Sequence, residues 1–364
     1  MPEPLRLVQV GAGGMGRTWL RTIAADPDVR LVGLVDLDAD AARRAADEEG
    51  HPGVAVATSL DGLATRDEAE ALVNVTVPVA HHAVTTTALR AGLPVLSEKP
   101  LAETVSEGLS MVAAAEVADR LVMVSQSRRY WRHLSAFRTQ VARLGPLGSV
   151  SCEFFKGPRF GGFREEMAYP LLVDMAIHQF DLARDLVGSE PVSVYCESFN
   201  PSWSWFAGDA AADAVFELAG GVRFSFTGSW CAPGLETSWN GRWRVSGAGG
   251  TAVWDGDGEP VAELTDGTAL PAEVADEPEQ IAGSLAEFVR ALREGTVPSG
   301  EVHANVLSLA MVEAATTSAE AGRRVTIAEV LDTAYAAALE AESDDAVRDR
   351  LRSWPSVHEA VGRL

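Results

Sequence analysis

Over its first third the chain alternates short apolar runs with amphipathic stretches, the pattern of repeated β-α units laid into a parallel sheet. Leu5 to Val10, Val29 to Val35, Leu72 to Val77, Pro94 to Ser97 and Leu121 to Ser125 read as buried strands. Helices are predicted between them over Met15 to Ala25, Ala39 to Glu48, His81 to Ala91 and Val105 to Asp119, the last opened by Thr104 and Glu107 as a capping box. Beyond about residue 126 a period of two takes over, as in Val150 to Phe155 and Val192 to Phe199. Ala214 to Leu218 and Val222 to Phe226 flank Gly220-Gly221 and read as a hairpin. Three amphipathic helices follow, over Ile281 to Leu292, Ala304 to Ala321 and Ile327 to Leu339, and the final segment to Leu364 reads as peripheral. The expected fold class is α/β, with a parallel, doubly wound sheet over residues 1–125 and a second domain on a largely antiparallel sheet over 126–364.

Length agrees with that division, since 364 residues exceed what one hydrophobic core usually organises. A formal net charge of -22 opposes binding to nucleic acid or anionic membranes, where Lys and Arg lead the contact. Cys152, Cys196 and Cys231 are widely spread, without the spacing of a zinc site or redox pair, and read as reduced core thiols. Met1-Pro2-Glu3-Pro4 lacks the basic-then-apolar pattern of a leader, and no apolar run is long enough to span a bilayer, so a cytoplasmic protein is expected.

Gly11-Ala12-Gly13-Gly14-Met15-Gly16 follows the first apolar strand and opens a helix. Its glycines match G-x-G-x-x-G at Gly11, Gly13 and Gly16, which supply a tight turn, close approach of a pyrophosphate and helix-on-strand packing. The helix N-terminus offers free N–H groups and a favourable dipole to the phosphates. Asp36 ends the second strand, about 20 residues beyond the last glycine, where an acid binds the adenosine ribose hydroxyls. The same carboxylate would repel the extra phosphate of NADP, and neither Leu37 nor Asp38 offers an Arg to receive it, so NAD is the expected cofactor. A calcium loop over Asp36, Asp38 and Asp40 lacks the required glycine and terminal glutamate; Asp38 and Asp40 are expected to cap the next helix.

At Ser97-Glu98-Lys99-Pro100 the sequence resembles the glucose-fructose oxidoreductase / inositol dehydrogenase / rhizopine catabolism family, Gfo/Idh/MocA. The glycine-rich turn, Thr76-Val77-Pro78-Val79-Ala80-His81, Ala91-Gly92, Glu98-Lys99-Pro100 and Asp174-Met175-Ala176-Ile177-His178-Gln179-Phe180-Asp181 occur in family order, over nearly the whole chain. The resemblance implies an N-terminal Rossmann fold, a C-terminal α/β domain with a large open sheet used for substrate binding and association, and a site at their junction. By motif it puts Lys99, Asp174 and His178 at the nicotinamide as catalytic residues. It also implies Gly14, Met15, Thr76, Pro78, His81 and Glu98 as cofactor neighbours, although helix-start polarity accounts equally well for His81 and His82.

The residue types suit those roles. Oxidising an alcohol needs a base for the hydroxyl proton, and a neutral imidazole such as His178 is available near neutral pH. Asp174 is four residues earlier on the same predicted helix face, and the Lys99 cation would favour alkoxide character at the substrate oxygen. Asp181 lies near that face and is a candidate for orienting the substrate. A buried structural histidine is the competing reading of His178, and the accompanying Lys99 and Asp174 weigh against it. No further His or Cys clusters near Asp174 and His178, so no metal is expected.

Trp203, Trp205 and Trp239 sit beside hydroxyls and amides in polar loops and suit stacking on a sugar ring, or equally core and subunit packing. Arg129, with Arg128, Tyr130 and Arg132, suits a substrate carboxylate or phosphate, while a solvated or interdomain ion-pair role is the competing reading for most of them in so acidic a chain. Met167-Ala168-Tyr169-Pro170-Leu171 replaces a glycine-rich run frequent in the family, and Tyr169 is a candidate substrate contact. The activity expected is NAD-dependent oxidation of a secondary hydroxyl of a sugar, sugar derivative or inositol-like polyol. The alternatives are a glycosidase or lyase that retains NAD and oxidises its sugar transiently, and a non-enzymic NAD-binding sugar sensor. The resemblance also implies a homodimer or homotetramer formed through the C-terminal sheet.

Overall fold

The computed structural model describes residues 3–63 and 66–362. Met1 and Pro2 of the start, and Arg363 and Leu364 of the terminal segment, lie outside the described residues. The chain forms two compact units, Met1–Ser127 with Pro278–Val306 and Ala334–Leu364, and Arg128–Glu277 with Leu307–Thr333. It therefore does not divide at a single point near residue 125, because two late segments belong to the first unit.

The first unit is built on β1 (Leu5–Val10), β2 (Val29–Val35), β3 (Ala55–Ala57), β4 (Ala71–Asn74), β5 (Val95–Glu98) and β6 (Val122–Ser125). All pairings are parallel, in the order β3-β2-β1-β4-β5-β6 that defines the Rossmann fold. Every position of β2 except Arg30 is buried, as expected of a strand covered on both faces. The connecting helices are α1 (Gly14–Ala25), α2 (Ala39–Glu48), α3 (Pro78–Arg90) and α4 (Val105–Ala118). Helix α3 starts at Pro78, three residues before the expected start, because proline's fixed φ suits the first turn and its missing N–H costs nothing there. At α4, Glu107 donates its N–H to Thr104 Oγ1, but the Glu107 carboxylate accepts from Glu103 N instead of the cap residue.

In the second unit, α5 (Arg132–Val141), β7 (Leu147–Phe155) and α6 (Ile177–Val187) precede β8 (Pro191–Phe199), β9 (Ala211–Leu218) and β10 (Arg223–Ser229). Strands β11 (Arg242–Gly247), β12 (Gly250–Trp254), β13 (Val261–Leu264), β14 (Ala269–Leu270) and β15 (Val325–Thr326) complete an open nine-stranded sheet, β14-β13-β12-β11-β7-β10-β9-β8-β15. Only β7 and β10 pair in parallel. Alternation assigns the faces: Val150, Cys152 and Phe154 of β7 are buried while Ser149, Ser151 and Glu153 are exposed. On the buried face Phe180 of α6 meets Phe216, Phe224 and Phe226 edge-on at 4.7, 6.1 and 5.3 Å between centroids. Cys152, Cys196 and Cys231 are buried and unpaired, and burial pushes the Cys196 thiol up to about 12.

The remaining helices are α7 (Gln280–Glu294), α8 (Val302–Ala321), α9 (Ile327–Ala341), α10 (Asp345–Ser353) and α11 (Val357–Ala360). The terminal segment is not peripheral. Val347, Leu351, Trp354 and Val357 are buried, and Glu116 of α4 accepts from Arg350 Nε at 2.8 Å and Trp354 Nε1 at 2.7 Å. No helix among the described residues is long and apolar enough to cross a membrane.

Candidate functional site

In the first unit the strands end at one sheet edge, where the glycine-rich turn lies. Gly11 has φ +102°, and a Cβ on it would lie 2.4 Å from Val75 O; a Cβ on Gly16 would lie 2.4 Å from Gly11 O. Those two glycines are required by the protein's own packing. Gly13 and Gly14 differ, because nothing lies within 4 Å of the positions their Cβ atoms would take. They border open space at the start of α1, whose N-terminus has no side-chain cap. Unclosed helix N–H groups beside an open, side-chain-free cradle fit the pyrophosphate of a dinucleotide.

Asp36 accepts from Ala12 N at 2.7 Å through Oδ2 and from Asp38 N at 3.0 Å through Oδ1, tying the end of β2 to the glycine turn. Asp38 in turn caps α2 by accepting from Ala41 N at 2.9 Å, whereas Asp40 lies in the first turn of that helix. Two polar residues that the sequence reading passed over hold this edge. Gln9 is fully buried and donates to Gly11 O at 2.7 Å and Gly16 O at 2.9 Å. Asn74, equally buried, accepts from Thr76 N and Oγ1 and donates to His81 O. The available signal was an amide inside an otherwise apolar strand. Met15, Leu37, Val77 and Val79 are exposed at this edge and form an apolar rim beside the glycine turn.

The His81 ring is turned inward. Its Nδ1 faces Pro100 O at 2.6 Å and its Nε2 faces Thr76 O at 3.1 Å, so it joins the turn after β4 to the turn after β5. Burial lowers its pKa, outweighing both carbonyl contacts. His82 likewise has a protein partner, Ser110 Oγ at 2.9 Å. Glu98 is buried, accepts from Trp19 Nε1 at 2.8 Å and from Lys99 N at 3.1 Å, and has its pKa raised by burial. Its carboxylate braces the strand end from which the half-buried Lys99 emerges, and the Lys99–Pro100 bond is cis.

In the second unit, Asp174 and His178 do not lie on one regular α-helix. Leu171–Ala176 is a π-helical turn that runs into α6, so Asp174 is on the wide turn and His178 on the first turn of the α-helix. Such insertions recur at functional sites. Asp174 Oδ2 accepts from Arg164 Nε at 2.6 Å. His178 is buried.

Asp181 is held by the protein: Arg129 Nε and Nη2 grip its two oxygens at 2.7 Å each, and Ser308 Oγ donates to Oδ1 at 2.6 Å. Burial opposes the charge on Arg129, but Asp181 outweighs it and raises the guanidinium pKa. The Arg129 fork therefore faces Asp181. Arg132 meets Asp276 at 3.4 Å, and Arg128 donates to Asn240 Oδ1 at 2.9 Å. Tyr169 borders an open hollow of about 390 Å³ with Glu166, Met167, Ala168, Ala207, Gly208 and Asp209. Trp203 is exposed and donates to Cys231 O, while Arg159 lies 4.0 Å above the Trp205 ring. Trp239 packs on Phe154 and Phe160. Among the described residues no three His, Cys, Asp or Glu gather as a metal site.

Comparison with known proteins bears on both units. The model of an oxidoreductase family with an NAD-binding Rossmann fold, GFO_IDH_MocA, matches residues 5–126, and the GFO/IDH/MocA C-terminal domain matches residues 141–253. The uncharacterized protein y4oX of Sinorhizobium fredii is 30% identical over 262 residues, 69% of this chain and 72% of that protein. Inositol 2-dehydrogenase of Corynebacterium glutamicum is 29% identical over 198 residues, 53% of this chain and 57% of that enzyme. An oxidoreductase from Agrobacterium radiobacter, solved in complex with NAD+, L-tartaric acid and magnesium, shares the fold with a TM-score of 0.81 at 20% identity, covering 91% of this chain and 100% of that one.

Proposed function

Because this chain belongs to the GFO/IDH/MocA oxidoreductase family, with an NAD-binding Rossmann domain, we propose that it oxidises a secondary hydroxyl of a sugar, sugar derivative or inositol-like polyol. The observation that carries the reading is the cradle at Gly13 and Gly14, open where a side chain would stand and bordered by the Asp36 carboxylate. Gly11, Gly13, Gly14, Met15 and Gly16 hold the cofactor by backbone and rim contacts. Asp36 takes the ribose hydroxyls and disfavours a 2′-phosphate, giving NAD preference over NADP.

When bound, NAD supplies the hydride acceptor. His178 takes the hydroxyl proton, the Lys99 ammonium stabilises negative charge on the substrate oxygen, and Asp174 hydrogen-bonds the substrate. Glu98 and His81 act through Lys99, by fixing the backbone on either side of it. Tyr169, Trp203 and Trp205 belong to the substrate side of the second unit.

The test is NADH absorbance at 340 nm with sugars, sugar acids and inositols, offered with NAD and with NADP. Reduction with one substrate class and NAD is the expected result. Binding of NAD without net NADH from any member would replace the reading with an internal redox cycle or a sensor. Val192, Tyr195, Val215, Val253 and Val261 are exposed on sheet strands of the second unit and support association of copies through that sheet. Light scattering should give a dimer or tetramer mass, and a monomer mass at every concentration would remove that part of the proposal.

A further inference from the structure

Beside Asp174 the second unit carries an aromatic and cationic surface. Phe160 and Phe163 are 59% and 56% exposed, unusual for neighbouring large rings. Arg164, which grips Asp174, lies 5.7 Å from the Phe160 ring centroid and 4.7 Å from that of Phe163. From Phe160 the rings continue to Trp230 at 6.1 Å, to Phe206 at 5.7 Å and to Trp205 at 5.4 Å. The far end is covered by Arg159, 4.0 Å above Trp205.

Arg159 is the unusual member. Unlike Arg164 it is exposed and, among the described residues, pairs with no carboxylate, and unlike the other exposed arginines without such a partner it is held over an indole ring. Stacking engages the face of the guanidinium and leaves its edge, with the N–H donors, for a ligand. It also fixes the plane, so less freedom is lost when a planar or tetrahedral anion docks on that edge. The indole N–H groups of Trp205 and Trp230 also have no acceptor, but both groups are buried, so the donors that a ligand at the surface can reach are those of Arg159. Buried indole N–H groups ordinarily find a partner.

We propose that this surface selects a polyol carrying an anionic group, a carboxylate or a phosphate, with Arg159 as the residue that recognises the anion and Phe160 and Phe163 as platforms for the carbon skeleton. The inference deepens the oxidoreductase reading and rests on it for the identity of the polyol as substrate. Arg164 is occupied by Asp174, so charge selection falls on Arg159.

The experiment compares kcat/KM for neutral sugars with their uronic or aldonic acids and with their phosphates, for the wild type, Arg159→Gln and Arg159→Lys. In the wild type the anionic member of a pair is preferred about tenfold to a hundredfold, the worth of one charge-assisted contact. Arg159→Gln abolishes that ratio, and Arg159→Lys restores part of it, because the charge remains while the stacked fork is lost. Whether acids or phosphates carry the preference identifies the anion. No preference in the wild type, or one that survives in Arg159→Gln, overturns the proposal. Calorimetric titration of the same ligands into NAD-loaded protein keeps it separate from the oxidoreductase reading. Anion-selective binding that Arg159→Gln weakens tenfold, with no NADH formed, sustains the anion site and removes the reaction. NADH formed from neutral and anionic polyols alike, with equal affinities, sustains the reaction and removes the anion site. Arg159 is exposed, so a thermal midpoint within about 2–3 °C of wild type is expected for both variants.

Discussion

Arg164 Nε lies 2.6 Å from Asp174 Oδ2, which places a guanidinium against a carboxylate that the proposed reaction needs. The contact spans 10 residues, from a short 3₁₀ turn to the π-helical turn, so it sets where the carboxylate stands. Arg164→Gln should lower kcat about tenfold to a hundredfold, with a smaller change in KM and no change in NAD affinity. Arg164→Lys should recover part of kcat. Steady-state kinetics beside NAD titration checks this, and a loss confined to KM would make Arg164 a substrate contact instead of a positioning residue.

The four glycines of the turn should separate by experiment. Gly13→Ala adds a methyl group to open space, so the thermal midpoint should stay within 2–3 °C, about the effect of 1 kcal/mol in a chain this long, while NAD affinity falls at least tenfold. Gly11→Ala forces an L side chain into φ +102° and against Val75 O, so stability should fall by about 1–3 kcal/mol before NAD is considered. Thermal melts with and without NAD decide it. Equal destabilisation in the two variants would mean that Gly13 is structural.

Much of the first unit was legible because both faces of its sheet are covered, which writes near-continuous apolar runs such as β1 and β2 into the chain. β3 escaped notice because Ala55–Ala57 is three residues long and only half-buried throughout. On the second sheet Trp243 and Val245 alternate with Arg242 and Arg244, but β11 to β14 are too short for such alternation to mark them as strands. The i,i+4 spacing of Asp174 and His178 suggested one regular helix, and hydrogen bonding made a π turn instead. Arg164 has no periodic signal at all, since its 3₁₀ turn is only five residues long and its meaning comes from a contact the chain must fold to make. The role of Glu116 is of the same kind: its partner Arg350 is 234 residues away.

That distant contact predicts a pH effect. His303 stands between Glu301, 2.6 Å from Nδ1, and Glu116, 3.3 Å from Nε2. Burial opposes its charge, but the two carboxylates outweigh burial and raise its pKa. A histidine whose folded pKa lies above its unfolded value adds stability that is fully present below the unfolded pKa and is lost as pH rises through the folded one. Melting temperature should therefore carry a component that declines from about pH 6.5 upward, absent in His303→Gln. Glu116→Gln, which weakens the contacts to Arg350, Trp354 and His303 together, should cost about 1–3 kcal/mol and expose the amides of α10 to hydrogen exchange. A His303→Gln profile parallel to that of the wild type would rule out this linkage.

The assignment of the base makes the most direct prediction. His178→Ala should bind NAD within about twofold of wild type, because the cofactor contacts proposed above belong to the glycine turn and Asp36, and should lose turnover by about 10²–10⁴. Lys99→Met should also keep most NAD affinity and lose turnover, since it removes a charge acting on the substrate oxygen. Asp36→Ala should show the opposite split, with NAD affinity falling by about tenfold or more and kcat at saturating NAD largely kept. The loss of the ties to Ala12 N and Asp38 N adds to that effect. Titration of NAD by fluorescence, followed by single-turnover kinetics with the best substrate of the panel, separates the two classes. If His178→Ala loses NAD affinity as much as Asp36→Ala does, the proton acceptor is another residue.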